Sequence, residues 1–146
     1  YTYWKRSSPM PNMLIFDAPT REKCVVKRAR TNTPLQALVT LNDPQFVEAA
    51  RALAQRLIKE ATDPRQRIEL AYQLATSRGA SQRETEILLN ILQRQRKRFE
   101  ANTDDAKQFL SVGEWKRDES IDMSEHAAWT VVAQMVLNLD EVLTRG

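Results

Sequence analysis

The chain holds one cysteine, one histidine and three glycines in 146 residues. With Cys24 as the sole thiol, no internal disulfide can form and no metal site can be built from thiolates alone. His126 is the sole imidazole, so a nucleophile–base–acid triad would have to be assembled around it. So few glycines, against an average usage of about 7%, argue against an architecture of strands and tight turns. No apolar run approaches the ~20 residues that a membrane span needs. The opening Tyr1-Thr-Tyr-Trp-Lys-Arg6 has neither the basic start nor the apolar stretch of a secretory signal. It does not begin with methionine, and the chain is expected to be a fragment of a larger protein, with any targeting signal outside it.

What is present reads as helix. Apolar residues make up 42% and charged residues 28%, ordinary for a globular chain long enough to bury a core as one domain. Residues 1–32 form an expected irregular arm. Pro9, Pro11 and Pro19 forbid a long helix there, while Tyr1, Tyr3, Trp4, Met10 and Phe16 are too apolar for a disordered tail. From residue 33 the period is helical. Thr33-Pro34, Asn42 or Asp43 before Pro44, and Asp63-Pro64 are three helix starts with a polar cap and proline in the first turn. Phe46, Val47, Ala50, Leu53, Ala54, Leu57 and Ile58 give an apolar stripe, leaving Glu48, Arg51, Gln55, Arg56 and Lys59 off it. Gly79 is placed for a left-handed cap. Ser81-Gln-Arg-Glu84 is a capping box for the longest helix. Thr103 opens a short helix, residues 112–122 form a loop, and Ser124 caps the last helix. The expected fold is all-α: a bundle of five to six helices over 33–146 behind an ordered, proline-containing arm.

Four segments resemble one known family: Met13-Leu-Ile-Phe-Asp-Ala-Pro19, Arg28-Ala-Arg-Thr-Asn-Thr-Pro-Leu-Gln-Ala-Leu38, Leu41-Asn-Asp-Pro-Gln-Phe-Val-Glu-Ala-Ala-Arg51 and Asn138-Leu-Asp-Glu-Val-Leu-Thr-Arg145. They are similar to the C-terminal part of a planctomycete family of unknown function, and their order spans nearly the whole chain. The resemblance implies a large exported parent protein, periplasmic or in the cell envelope, often carrying a planctomycete-type cytochrome c domain. The family's haem is held by a Cys-x-x-Cys-His segment. None exists here, so no cofactor is assigned to this chain and haem c would belong elsewhere in the parent. In an oxidising compartment an unpaired Cys24 is odd. The flanking Val25 and Val26 favour a buried thiol over one paired with an upstream cysteine.

The candidates for chemistry are few. A Cys24–His126 pair would need the imidazole free, yet His126 falls in the first turn of a helix, which disfavours its charged form and suits a surface or cap-region position. Asp104-Asp105, Asp118-Glu119 and Asp140-Glu141 are adjacent acids, which point apart instead of facing one cleft. A carboxylate calcium site in the 114–125 loop is the remaining metal option, and no metal ligand is assigned. Residues 1–32 carry seven basic side chains against two acidic ones, a local +5, so the rest holds −2 of the net +3. With Gln93-Arg-Gln-Arg-Lys-Arg98 this raises nucleic acid as a partner, but Glu84, Glu86 and Glu100 dilute the field and a solvated face is the reading preferred. The polar cluster Asp17, Arg28, Arg30, Asn32, Asn42 and Asp43 could face a partner. Its structural alternative has the asparagines and Asp43 as caps, with Arg28 or Arg30 paired to Asp17. The expectation is a non-catalytic interaction or scaffolding module, its partners other domains of the parent or an envelope protein. The alternatives are part of an active site completed upstream, for instance in polysaccharide breakdown, and an accessory to a cytochrome c domain.

Overall fold

The computed structural model describes residues 9–19, 22–27 and 31–144. Among them are eight helices and no strand: α1 (Pro11–Ile15), α2 (Pro34–Asn42), α3 (Pro44–Glu60), α4 (Pro64–Thr76), α5 (Gln82–Ala101), α6 (Thr103–Leu110), α7 (Met123–Leu137) and α8 (Asp140–Leu143). Six are longer than one or two turns, so the all-α bundle of five to six helices is what forms. The described part of the arm differs from the expected irregular segment. Pro11 suits a first helical position, and α1 closes one turn before Asp17 turns left-handed at φ 56°.

α7 is the axis of the bundle. It packs most extensively against α3 and α5, with α4, α6 and α8 around it. Ala50 and Ala54 of α3 and Ala127, Ala128 and Ala133 of α7 are all fully buried, and such small side chains let the two backbones approach closely. Leu57, Ile68, Leu92, Trp129 and Val132 fill the remaining space. Because α7 is covered on nearly every side, its polar residues are buried with the apolar ones: His126, Thr130 and Gln134 join the core. A helix surrounded in this way needs no single apolar stripe.

The caps follow the sequence in part. Thr33 with Gln36 and Ser81 with Glu84 form reciprocal capping boxes, and Asp43 and Asp63 each accept from the first-turn amides. Elsewhere the neighbour caps. Asn102 takes the place expected for Thr103, and Asp122 the place expected for Ser124, whose hydroxyl donates to the Phe99 carbonyl. Ser77, at φ 61°, ends α4 in place of Gly79. Gly79 lies beside the Glu69 carboxylate, which a Cβ there would push aside.

α2 is built inside out. Its buried side chains are Gln36 and Thr40, while Leu35 and Leu38 stand 53% and 57% exposed. Gln36 supports this by satisfying its amide completely. Its Nε2 donates to the Ile15 carbonyl at 2.7 Å and to Thr31 Oγ1, and its Oε1 accepts from Thr33 N. A buried amide with all these partners costs little to bury.

Candidate functional site

Of the six residues of the expected polar cluster, Asp17, Asn32, Asn42 and Asp43 lie among the described residues, and each holds partners of its own. Arg28 and Arg30 lie outside the described residues, so their expected pairing with Asp17 lies there too. Among the described residues Asp17 accepts from the Thr31 amide and hydroxyl, both at 2.8 Å. The Thr31 hydroxyl, then its amide, hold the Asp17 carboxyl below the usual range. Asn32 caps no helix; its Nδ2 donates to Asp140 Oδ1 at 2.7 Å. Nor does Asn42, the last residue of α2, whose amide turns back to the Leu38 carbonyl. Asp43 does cap α3, and its second oxygen accepts from Asn12 of α1 at 2.9 Å. Thr40 lies 2.8 Å from the Asn138 side chain, and Gln134 donates to the Leu41 carbonyl. These contacts tie the arm, α2 and the chain's far end to one another, which is how segments so distant in sequence come to share a polar vocabulary.

The larger polar construction lies on α3, where sequence periodicity suggests only a face off the apolar stripe. Glu48, Arg51, Gln55 and Lys59 follow one another at three or four residues, a single row on the helix. That row grips the loop between α6 and α7. Arg51, 4% exposed, donates from Nη1 to the Leu110 and Val112 carbonyls and from Nη2 to that of Trp115. Glu48 accepts the Glu114 and Trp115 amides, the latter at 2.9 Å. The Trp115 amide above all lowers the Glu48 pKa. Gln55 accepts the Asp118 amide, and Lys59 pairs with the Asp118 carboxylate. The Lys59 bond, then those from Ser120, keep that carboxyl well below its ordinary value. Gly113 completes the fit: it sits at φ 95°, and a Cβ there would meet Glu48 Oε2 at 2.1 Å. Only glycine supplies both the conformation and the space.

Behind this row lies His126. It is fully buried, not on the surface or at the cap, with Nε2 3.2 Å from the Arg51 carbonyl. A carbonyl only accepts, so Nε2 carries the proton and Nδ1 is bare. Nδ1 is buried and has no hydrogen-bond partner among the described residues. Burial lowers the His126 pKa, and the nearby Arg117 and Arg51 charges add to this. Cys24 is exposed, contrary to the expected burial, because its segment, residues 22–27, lies entirely on the surface. A thiol at the surface and an enclosed imidazole facing α3 do not make a nucleophile–base pair.

Other charges tie helices together. Glu125 accepts from Arg67, Arg96 and Trp129 Nε1, joining α4, α5 and α7. Burial pushes the Glu125 carboxyl up, and the Arg96 and Trp129 bonds more than reverse it. Arg96 is thereby withdrawn from the basic run, while Arg98 lies near Asp105 and over the Phe99 ring. Arg78 bridges Glu84 and Glu141, holding the Glu84 carboxyl at about 2. A cleft of about 700 Å³ opens between α1, the start of α3 and the loop, lined by Asn12, Asp43, Glu48 and Glu114 among others. Asp43 and Glu48 are spent there on amides. Among the described residues no three His, Cys, Asp or Glu side chains are grouped to hold a metal, and no helix is long and apolar enough to cross a membrane.

A family model described as PSD1, protein of unknown function (DUF1553), matches residues 1–92. The chain belongs to this family. The match runs from the arm into α5 and stops short of the loop, α7 and the segment 138–145, so it covers less than the four resembling segments do. No curated protein and no solved structure matches the chain. As a DUF1553 protein it has a family but no inherited activity.

Proposed function

We propose that this chain is a non-catalytic interaction module of a larger exported planctomycete protein, docking through its arm and α2 onto another segment of that protein. The observation that carries the reading is the inversion of α2. Leu35 and Leu38 face outward while Gln36 and Thr40 face the bundle. At neighbouring α1, its N-cap Met10 and its Leu14 are also about half exposed, at 51% and 47%. Exposed apolar side chains on two elements that pack together suit a contact surface. The enzymatic alternative draws less support, because the chain's one imidazole is enclosed and its best-placed carboxylates hold backbone amides. A haem-bearing domain would be a separate segment, since Cys24 and the buried His126 cannot form a Cys-x-x-Cys-His attachment.

Calorimetric titration of this chain against the separately produced upstream segment of the parent tests the proposal. Saturable binding that Leu35→Asp with Leu38→Asp abolishes, at unchanged circular dichroism, is expected. Absence of binding by the wild type, or binding that ignores the double variant, overturns it.

A further inference from the structure

The loop that α3 holds so firmly ends in an exposed aromatic ring. Trp115 has its N–H bonded to Glu48 and its carbonyl to Arg51, yet the residue is 73% exposed. The ordering entropy of the loop is already spent, so a ligand that meets the indole does not have to fix it. Tryptophan in such a position offers a large, rigid apolar face with one polar edge. Beside it opens a shallow pocket of about 390 Å³, which Trp115 lines together with Lys107, Ser111, Lys116, Arg117 and Glu119.

The lining selects among ligands that stack. Single-stranded nucleic acid needs a groove of one positive sign along its phosphates, and here Glu114 and Glu119 interrupt the cations while Asp118 takes up Lys59. A planar apolar ligand needs mostly apolar walls, and here Trp115, Leu110 and Gly113 are outnumbered by seven charged or hydroxyl residues. A sugar ring has an apolar C–H face suited to an indole and a rim of hydroxyls that both donate and accept. Lysine and arginine donors alternating with a glutamate acceptor and a serine match that rim. We propose that Trp115 and the pocket beside it bind a pyranose ring of a neutral oligosaccharide. Glu48 acts as a positioning residue, since it holds the loop from outside the pocket lining, whereas Arg51 both holds the loop and lines the pocket.

The test is titration of the ¹⁵N-labelled chain with cellohexaose, chitohexaose and maltohexaose, reading the Trp115 indole and loop amides by NMR. At least one probe should shift the Trp115 indole saturably below about 10 mM. Trp115→Ala should weaken that binding about tenfold or more without changing the thermal midpoint, because the side chain is outside the core. Trp115→Phe should recover much of it. Gly113→Ala, which displaces Glu48, should weaken it with the indole intact. No shift with any of the three sugars overturns the proposal, as does binding that Trp115→Ala leaves unchanged. Capture of a single-stranded oligonucleotide in place of the sugars would also overturn it. None of these outcomes depends on Leu35 or Leu38.

Discussion

Arg51→Leu is the sharpest perturbation of this fold. It keeps an aliphatic stem on α3, shorter than arginine, and removes the donors to Leu110, Val112 and Trp115. A hydrogen bond to a charged group contributes about 1.5–3 kcal/mol. Three such bonds do not sum in full, because burying the guanidinium has its own desolvation cost and the freed carbonyls can swing out to water. The net loss is about 2–4 kcal/mol. For a chain of this size each kcal/mol moves the midpoint by about 2–4 °C, so a thermal melt at pH 7 should fall by roughly 5–15 °C. The control is Arg56→Leu, five residues on, whose partner among the described residues is Glu60 on the exposed face of the same helix. That pair belongs to the class worth a few tenths of a kcal/mol. If Arg51→Leu melts with Arg56→Leu, the guanidinium is not holding the loop and the reasoning fails.

Two further outcomes follow from the burial pattern. Since burial sets the folded His126 pKa below its ordinary 6.5, the unfolded chain takes up that proton first as the pH drops. Stability contributed by the neutral imidazole is complete above about 6.5 and declines below it, and a His126→Gln variant should show a flatter midpoint between pH 7 and 5. The lowered carboxylates, Glu84 at about 2 among them, add their own loss only below the ordinary glutamate value of 4.5. Cys24 should react with a disulfide reagent in the native chain as completely as in denaturant, and a protected thiol would contradict its exposed position.

Much of this was legible in the sequence, for reasons that are local. A proline after a polar residue, or a serine three before a glutamate, settles its helix start with neighbouring residues alone. Thus Thr33, Asp43, Asp63 and Ser81 cap where expected. The errors share the opposite cause. Whether Leu35 or Gln36 faces inward depends on the Ile15 carbonyl and Thr31, which no helical period encodes. His126 looks like a first-turn surface residue until α7 is seen enclosed by α3, α5 and α6. The row Glu48, Arg51, Gln55, Lys59 was visible as a spacing, but its meaning came from backbone groups more than fifty residues away. Such a row of mixed polar residues beside an apolar stripe is the one signal that could have pointed to a clasped loop. The caps of α6 and α7 fall on Asn102 and Asp122, one and two residues before the expected Thr103 and Ser124, which is within the fraying of helix ends.

Amide hydrogen exchange at Glu114 and Trp115 tests most directly whether α3's polar row is committed to the loop. Opening that costs about 2–4 kcal/mol corresponds to protection of roughly 30- to 1,000-fold, unusual for amides on an exposed connection. Protection of that order, lost in Arg51→Leu, is the predicted result. Exchange at the rate of an unstructured peptide in the wild type would contradict it.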